Sequence, residues 1–264
     1  MAIIGGLPRK MTYKFEQIAK LNKFNDAVLI EGLPGIGNVG KIAVDFIVDN
    51  LKAKKIYQIY SHNFPHAVFV NEDNLVELPR IEIYHKRIKN KDFLLLAGDI
   101  QPIDESSCYE FCEEVLEIAA KYKIKEIVTI GGIGLQHIPQ QPKVYCTSNN
   151  KSIVNKYQSK NLVNNIFGVV GPIIGVSGLL VGLAQQKNIP AIALLAETFG
   201  HPTYLGIKGA REILKIINEK HKLNLDLNKL DEEILEIEKG IKTKTKEFSK
   251  LQKRKENIRT DYIG

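Results

Sequence analysis

The sequence predicts an α/β fold in which helices cover a mostly parallel central sheet. Strand candidates alternate with helix candidates along most of the 264 residues. Four strand candidates, which contain the runs VLI, FLLL, IVTI and AIALL, are apolar on both faces. This pattern is typical of parallel strands buried between helices. Glycines follow several strand candidates, at positions 32, 98, 131, 132, 134 and 200, and open α/β sheets bind ligands at such strand ends.

Periodicity and end signals place the individual elements. We predict strands over 26–32, 55–61, 92–99, 126–132, 143–148, 166–170 and 190–198, and antiparallel strands over 68–88. Helices are predicted over 39–51, 106–122 and 209–222, and another is predicted to start near Gly175. Asp104 or Ser106 is the expected N-cap of the helix over 106–122, because either side chain can accept a hydrogen bond from the first turn.

The positive charge of the chain is concentrated at its C-terminus. The net charge is +7, and residues 239–264 contain nine Lys or Arg against three Asp or Glu, a balance of +6. A nucleic-acid-binding protein usually carries its basic surface on the folded domain. Since the rest of this chain is nearly neutral, we expect no nucleic-acid partner.

Two features bear on where the protein works. Residues 166–184 form an uncharged run long enough to span a bilayer, but they contain Pro172 and five glycines. We therefore expect a strand, a turn and a buried helix there, and no membrane partner. The three cysteines, Cys108, Cys112 and Cys146, are too few and too irregular for a disulfide framework or a zinc site. The count favours a cytoplasmic protein.

Residues 32–42, GLPGIGNVGKI, permit three interpretations. The spacing of Gly35, Gly37 and Gly40 is that of a dinucleotide fold, and 35–41 spell most of a P-loop. However, Ile42 stands where a P-loop has a hydroxyl for Mg²⁺, and the strand over 55–61 ends without the acidic residue that binds a ribose. The third interpretation is a tight strand-to-helix corner whose N–H groups could hold an anion. Its residues are Gly32, Gly35, Gly37 and Gly40.

Other chemistry-bearing residues are sparse. Glu197 and His201 are four apart, but Gly200 and Pro202 prevent them from sharing a helix face. They form either an acid–base pair or separate loop contacts. The sequence has no G-x-S-x-G elbow. We expect no enzyme activity, no cofactor and no metal; the alternative is an enzyme that binds a nucleotide or phosphate through the loop over 32–41.

The last part of the chain has the pattern of a long helix with an apolar seam. Alternate steps of three and four from Leu227 reach mainly apolar or aromatic residues, nine of eleven. The seam positions are Leu227, Leu230, Ile234, Ile237, Ile241, Lys244, Phe248, Leu251, Lys255, Ile258 and Tyr262. Such a repeat indicates a helix that packs lengthwise against another, as in a coiled coil. We therefore divide the chain into an α/β domain over 1–221 and a helical extension over 222–264.

Four stretches, taken together and in order, resemble the proteasome assembly chaperone family, in particular its archaeal members. They are LIEGLPGIGNVGKIAVDFIVDNL, TIGGIGLQ, GPIIGVSGLLVGLA and ALLAETFGHPTYLGIKGAREIL. The resemblance implies a three-layer α/β/α domain of the phosphorylase or hydrolase-like kind with helical C-terminal extensions. It also implies self-association into homo-oligomers, binding to proteasome α-subunits or the core particle, and no catalysis. A second chaperone subunit is a further partner that the family permits.

The C-terminus departs from the family pattern. Members that dock on the proteasome often end in a hydrophobic residue, Tyr and one further residue, whereas this chain ends Tyr262-Ile263-Gly264. Either the tail docks in a shifted register, or a partner bears the proper ending, or the terminus is frayed. The resemblance assigns partner binding to Tyr262, Ile263 and Gly264, and the seam adds Phe248, Leu251 and Ile258.

Overall fold

The computed structural model describes residues 12–20, 23–164, 166, 168, 170–232, 234 and 235. Up to Leu225 the described residues form eleven strands, five α-helices and one short 3-10 turn at Ile36–Asn38. The strands are β1 Tyr13–Gln17, β2 Val28–Gly32, β3 Lys54–Ser61, β4 Phe69–Val70, β5 Val76–Glu77, β6 Ile81–Ile88, β7 Lys91–Gly98, β8 Glu126–Leu135, β9 Val144–Ser148, β10 Leu162–Val163 and β11 Ala191–Phe199. The helices are α1 Val39–Leu51, α2 Glu105–Lys121, α3 Lys151–Tyr157, α4 Val176–Gln186 and α5 Ile207–His221.

One large mixed sheet forms the centre of the α/β fold. Its nine strands lie in the order β1-β3-β6-β7-β2-β8-β11-β9-β10. The four middle strands, from β7 to β11, run parallel, whereas β3 and β6 pair antiparallel with their neighbours and β9 pairs antiparallel with β11. The prediction of a mostly parallel sheet therefore holds for the middle of the sheet and for the short β9–β10 pair at one edge, but not for the rest. Strand direction depends on the connections, and the two residues between β6 and β7 can make only a hairpin.

The core lies on both sides of the middle strands. Leu29 and Leu94 pack in one apolar cluster with residues of α2 and α4, such as Phe111 and Leu180. Successive side chains of a strand point to opposite faces, so Ile30 is buried on the other face. There α1 packs against β2, β7 and β8, and also against α5.

Most predicted element bounds agree with the structure to within one or two residues, and one element is wrong. Helix α1 begins and ends as predicted, and the Asp104 carboxylate caps α2 by accepting from the Ser107 N–H at 2.9 Å. The predicted strand over 166–170 does not form, since residues 166, 168 and 170 lie outside any strand. Gly168 within this run removes a side chain that a strand needs, and Gly171 and Pro172 follow directly after it. Among the described residues, no helix has the length and apolar character to cross a bilayer.

The chain divides into two units between Leu225 and Asp226. In the second unit, residues 228–232, 234 and 235 are helical. The predicted seam from Ile237 onward lies outside the described residues. That part includes the predicted partner-binding positions Phe248, Leu251, Ile258, Tyr262, Ile263 and Gly264.

Candidate functional site

The corner after β2 is a site of close backbone packing. A Cβ on Gly32 would lie 2.2 Å from the Gly40 carbonyl oxygen, and a Cβ on Gly40 would lie 2.5 Å from the Ile130 carbonyl oxygen. Contacts this short are not tolerated, so only glycine allows the first turn of α1 to lie against the ends of β2 and β8. The interpretation of this stretch as a tight strand-to-helix corner accounts for both residues.

The other two glycines of the corner differ from each other. Gly37 has φ +63°, and a Cβ on it would meet the buried Thr198 side chain at 2.5 Å. Its carbonyl oxygen accepts from the Gly206 N–H at 2.7 Å, which fixes the loop before α5. Gly35 has an extended backbone, and a Cβ there would meet nothing within 4 Å. Gly35 therefore faces open space, and the packing does not require a glycine there.

The geometry does not support a P-loop. The Lys41 ammonium lies 3.1 Å from the Gly98 carbonyl oxygen, 3.0 Å from Asp45 and 3.3 Å from Asp99. A P-loop lysine has to reach the phosphates of the ligand. Here two carboxylates and a carbonyl at the end of β7 hold the charge, so Lys41 ties α1 to the sheet.

The geometry does not support a dinucleotide fold either. That motif needs the strand after the glycine-rich turn to run parallel beside the first strand. Strand β3 instead lies three places away from β2 and pairs antiparallel with β1 and β6. Strand β3 therefore supplies no ribose-binding position next to the glycine corner in the described part of the chain.

A cavity of about 360 Å³ lies beside the corner, at the carboxyl ends of β2 and β8. Strand β2 pairs with β8 only as far as Glu31 opposite Thr129, while β8 continues along β11 to Leu135. The early end of β2 leaves a gap, and three glycines of β8 supply no side chain to fill it. The described lining residues are Leu33, Pro34, Gly35, Ile36, Gly40, Gln101, Ile130, Gly131, Gly132, Ile133, Gly134, Val170, Pro172, Ile173, Ile174, Ser177 and Leu195.

A buried glutamate lies behind one wall of this cavity. The Glu31 carboxylate accepts from the Leu33 N–H at 3.0 Å and lies 2.9 Å from the Ser177 hydroxyl, which is also 3.2 Å from the Ile130 carbonyl oxygen. Burial raises the pKa of Glu31 to about 7. One hydroxyl proton cannot serve two acceptors. A neutral Glu31 resolves the conflict, because it donates to Ser177 while Ser177 donates to Ile130.

The structure does not bring the Glu197 and His201 side chains together as an acid–base pair. Glu197 accepts from the Lys143 N–H at 2.9 Å and from the Tyr145 hydroxyl at 3.1 Å. The His201 ring stacks on Phe199 and lies 3.0 Å from the Thr203 hydroxyl. The two residues therefore make separate contacts, as the second interpretation expected, although Glu197 lies on β11 and not in a loop.

The cysteines are buried in the α/β unit. Cys108 and Cys112 lie on α2 and Cys146 lies on β9, all as free thiols. The described residues contain no group of three or more His, Cys, Asp or Glu side chains that could hold a metal ion.

Sequence reasoning missed a buried polar network at the end of α5. Tyr157 donates to Glu126 at 2.5 Å and lies 2.6 Å from His221 Nε2, and Lys156 pairs with the same carboxylate. Burial lowers the pKa of His221 to about 4, so the neutral ring donates to the Tyr157 oxygen. Tyr157 is separated from Glu126 by 31 positions in the sequence and from His221 by 64. No local sequence pattern signals pairings over such distances.

A second surface feature is the small hairpin formed by β4 and β5. Of the fifteen large hydrophobic side chains exposed among the described residues, six lie here. They are Val68, Phe69, Val70, Leu75, Val76 and Leu78. Contiguous exposed apolar side chains mark interaction surfaces.

Comparison with known proteins identifies the family of this chain. A model of the PAC2 family matches residues 29–244, most of the chain. The chain belongs to the PAC2 family. This confirms the family resemblance drawn from the four sequence stretches. Two uncharacterized proteins of Methanocaldococcus jannaschii, MJ1210 and MJ0106, are each 28% identical to this PAC2 protein; the first match covers 88% of both chains, and the second covers 95% of this chain and 98% of the relative.

Two solved structures share the fold. Pyrococcus furiosus PbaB, described as an archaeal proteasome activator, is 27% identical with a TM-score of 0.80, over 88% of this chain and 98% of PbaB. Pyrococcus furiosus PbaA, described as an archaeal homolog of proteasome-assembly chaperone, is 21% identical with a TM-score of 0.73, over 94% and 99% of the two chains. The PbaA match shows the fold alone.

Proposed function

We propose that this protein is a non-catalytic, cytoplasmic chaperone of proteasome assembly that binds proteasome α-subunits or the core particle. The observation that carries the proposed proteasome partner is the match to the proteasome activator PbaB, which extends over 98% of that chain at 27% identity. Membership of the PAC2 family supports the chaperone role. The described part of the glycine corner supports a non-catalytic role, because its charged side chain, Lys41, is held by carboxylates. The α/β domain acts as a platform.

We further propose that the C-terminal extension makes the contact with the proteasome. The last part of the extension, residues 239–264, carries a net charge of +6, and opposite charge on a partner accelerates encounter. In this proposal, Phe248, Leu251 and Ile258 supply an apolar seam, and Tyr262, Ile263 and Gly264 supply the terminal carboxylate and its aromatic neighbour.

The test is capture of purified α-subunits by the full chain and by a chain that ends at Leu225. The truncation ends at Leu225 and not at His221, the predicted end of the α/β domain. Leu223 and Leu225 are buried, and the Leu225 N–H donates to the Asn218 side-chain oxygen at 3.0 Å. We expect the truncated chain to keep its thermal midpoint and to lose at least tenfold in affinity. The control carries residues 236–264 in scrambled order, which preserves charge and composition.

The outcomes separate the parts of this proposal. Weak binding by the scrambled chain as well indicates that the seam and the terminal residues recognise the partner, beyond charge alone. Full binding by the truncated chain would overturn the tail assignment. Failure of the full chain to bind either α-subunits or assembled core particle would overturn the chaperone proposal itself.

We also propose that the protein acts as a homo-oligomer and that the β4–β5 hairpin is the surface between copies. A two-stranded hairpin is marginally stable alone in water, and this hairpin exposes six apolar side chains. Burial of apolar area against a second copy stabilises such a surface at about 25 cal/mol per Å². A second chaperone subunit with a similar hairpin would satisfy the same surface.

A further inference from the structure

The geometry points to a ligand site in the cavity beside the glycine corner: it binds a small uncharged molecule with an apolar body and a carboxamide-type edge. The site is independent of the proposed chaperone function, since it lies within the α/β unit and uses no residue of the C-terminal extension. Its size falls in the range of small-molecule sites, which begins near 300 Å³.

The body of the ligand follows from the walls. Most lining side chains are aliphatic or proline, and the mouth exposes Ile36 and Ile174, which are 51% and 87% accessible. Isoleucine side chains with this much exposure at the rim of a cavity lose unfavourable contact with water when an apolar ligand covers them. An apolar ring or short chain therefore suits the cavity.

The polar edge of the ligand follows from two side chains at the α4 end of the cavity. The Ser177 oxygen keeps a free lone pair in either protonation state of Glu31, because its single proton goes to Glu31 or to Ile130. Gln101 Oε1 accepts from the Val176 N–H at 3.3 Å, which directs its Nε2 donor elsewhere. The site thus offers one acceptor and one donor, and a carboxamide presents the complementary pair.

The charge of the ligand follows from what the lining contains. No Lys, Arg or His side chain is among the described lining residues, and the nearby Lys41 is already held by Asp45, Asp99 and the Gly98 carbonyl. A phosphate or carboxylate would enter without a counter-ion, and burial of an unpaired charge is costly. An uncharged ligand avoids that cost, so the anion interpretation of the corner is disfavoured.

The probe for the test is benzamide, titrated into the full chain with methyl-labelled isoleucines. We expect saturable shifts of the Ile133 and Ile173 methyl signals, with a Kd on the order of 1 mM, which suits so small a ligand. Benzoate has the same shape with a charge, and it should bind at least tenfold more weakly. Stronger binding of benzoate, inorganic phosphate or ATP than of benzamide would overturn the proposal.

Two variants locate the site, and a third is the control. Gly35→Leu adds a side chain at a lining position that has an extended backbone and open space, so it should keep the fold and block the cavity. Ser177→Ala should weaken benzamide about tenfold by removing the acceptor. Gly182→Leu also adds a side chain in open space, but on α4 away from the lining, and should leave binding unchanged. Normal benzamide binding by both Gly35→Leu and Ser177→Ala would overturn the site.

Discussion

At the scale of single residues, the main unusual feature is the pair formed by Glu31 and Ser177. Their side chains are 146 positions apart in sequence and 2.9 Å apart in the structure. Burial raises the pKa of Glu31 to about 7 from its ordinary value of 4.5, because the charged form loses its hydration. The folded protein therefore holds a proton that the unfolded chain releases at lower pH.

We predict that Glu31→Gln changes the dependence of stability on pH. Between about pH 4.5 and 7 the folded state binds more protons at Glu31 than the unfolded state, so this group makes stability fall as pH rises. Relative to wild type, Glu31→Gln should therefore gain about 3 kcal/mol between pH 4 and pH 8. Urea unfolding at the two pH values measures this change. Glu72→Gln, in an exposed turn, is the control.

The stability of the variant has to be compared with that of the wild type because His221 changes stability with pH in the opposite direction. Burial lowers the pKa of His221 to about 4, so the unfolded state binds more protons than the folded state between about pH 4 and 6.5. That group makes stability rise with pH in this window. The raw curve of the wild type contains both effects, whereas the difference from Glu31→Gln isolates one. An unchanged difference across pH 4 to 8 would show that Glu31 is not held in the neutral form.

At the scale of elements, the decisive contact is the first turn of α1 against the ends of β2 and β8. Gly40 lies inside α1, where alanine would favour the helix by about 1 kcal/mol. Against this, a Cβ at Gly40 would lie 2.5 Å from the Ile130 carbonyl and 3.2 Å from the Leu33 carbonyl. Both are backbone atoms of the packed sheet and loop, so they cannot yield as a flexible side chain would.

We predict that Gly40→Ala lowers the free energy of unfolding by about 2 kcal/mol net, because the backbone clash exceeds the gain in helix propensity. The matched control is Gly35→Ala, in the same loop but in open space, with an expected change within about 0.5 kcal/mol. The urea midpoint at constant slope measures both. Equal stability of the two variants would contradict the close packing of α1.

Sequence patterns identified this corner but not the tertiary contacts that it makes. The sequence predicts a tight corner at Gly32, Gly35, Gly37 and Gly40, and the packing requires glycine at three of them but not at Gly35. The bounds of α1 are predicted correctly, because backbone freedom and helix periodicity are local properties. The partners of Lys41 at Gly98 and Asp99 lie 57 and 58 positions away. The strand predicted over 166–170 failed for a related reason: an apolar run is compatible with a strand or with a loop that lines a cavity.

At the scale of the whole molecule, the α/β domain exposes its apolar hairpin, and positive charge is concentrated in residues 239–264 of the extension. Val70 and Val76 face each other across the hairpin and are 66% and 69% exposed. Side chains this exposed contribute little to the stability of the body that carries them. The unfavourable exposure of these apolar side chains to water is removed only when a partner covers them.

We predict that the double variant Val70→Lys, Val76→Lys lowers the solution mass from that of the proposed oligomer to that of a monomer. The reason is that two facing positive charges would be buried between copies without a counter-ion. Light scattering after size exclusion measures the mass, and the thermal midpoint of the monomeric body checks the fold. Ile103→Lys, at another position 78% exposed, is the control and should keep the oligomer. An unchanged mass in the double variant would exclude the hairpin as the interface.

The sequence by itself determined much of the local structure: the buried middle strands, the positions of α1, α2, α4 and α5, a cap of α2 at Asp104 or Ser106, the glycine corner and the family. These depend on periodicity, capping and backbone freedom, which act over a few residues. The tertiary structure alone decided the strand order, the mixed strand directions, the distance of β3 from β2, the cavity and the Glu31–Ser177 pair. Each of these depends on contacts between segments far apart in the chain, and such contacts leave no periodic signal in the residues that make them.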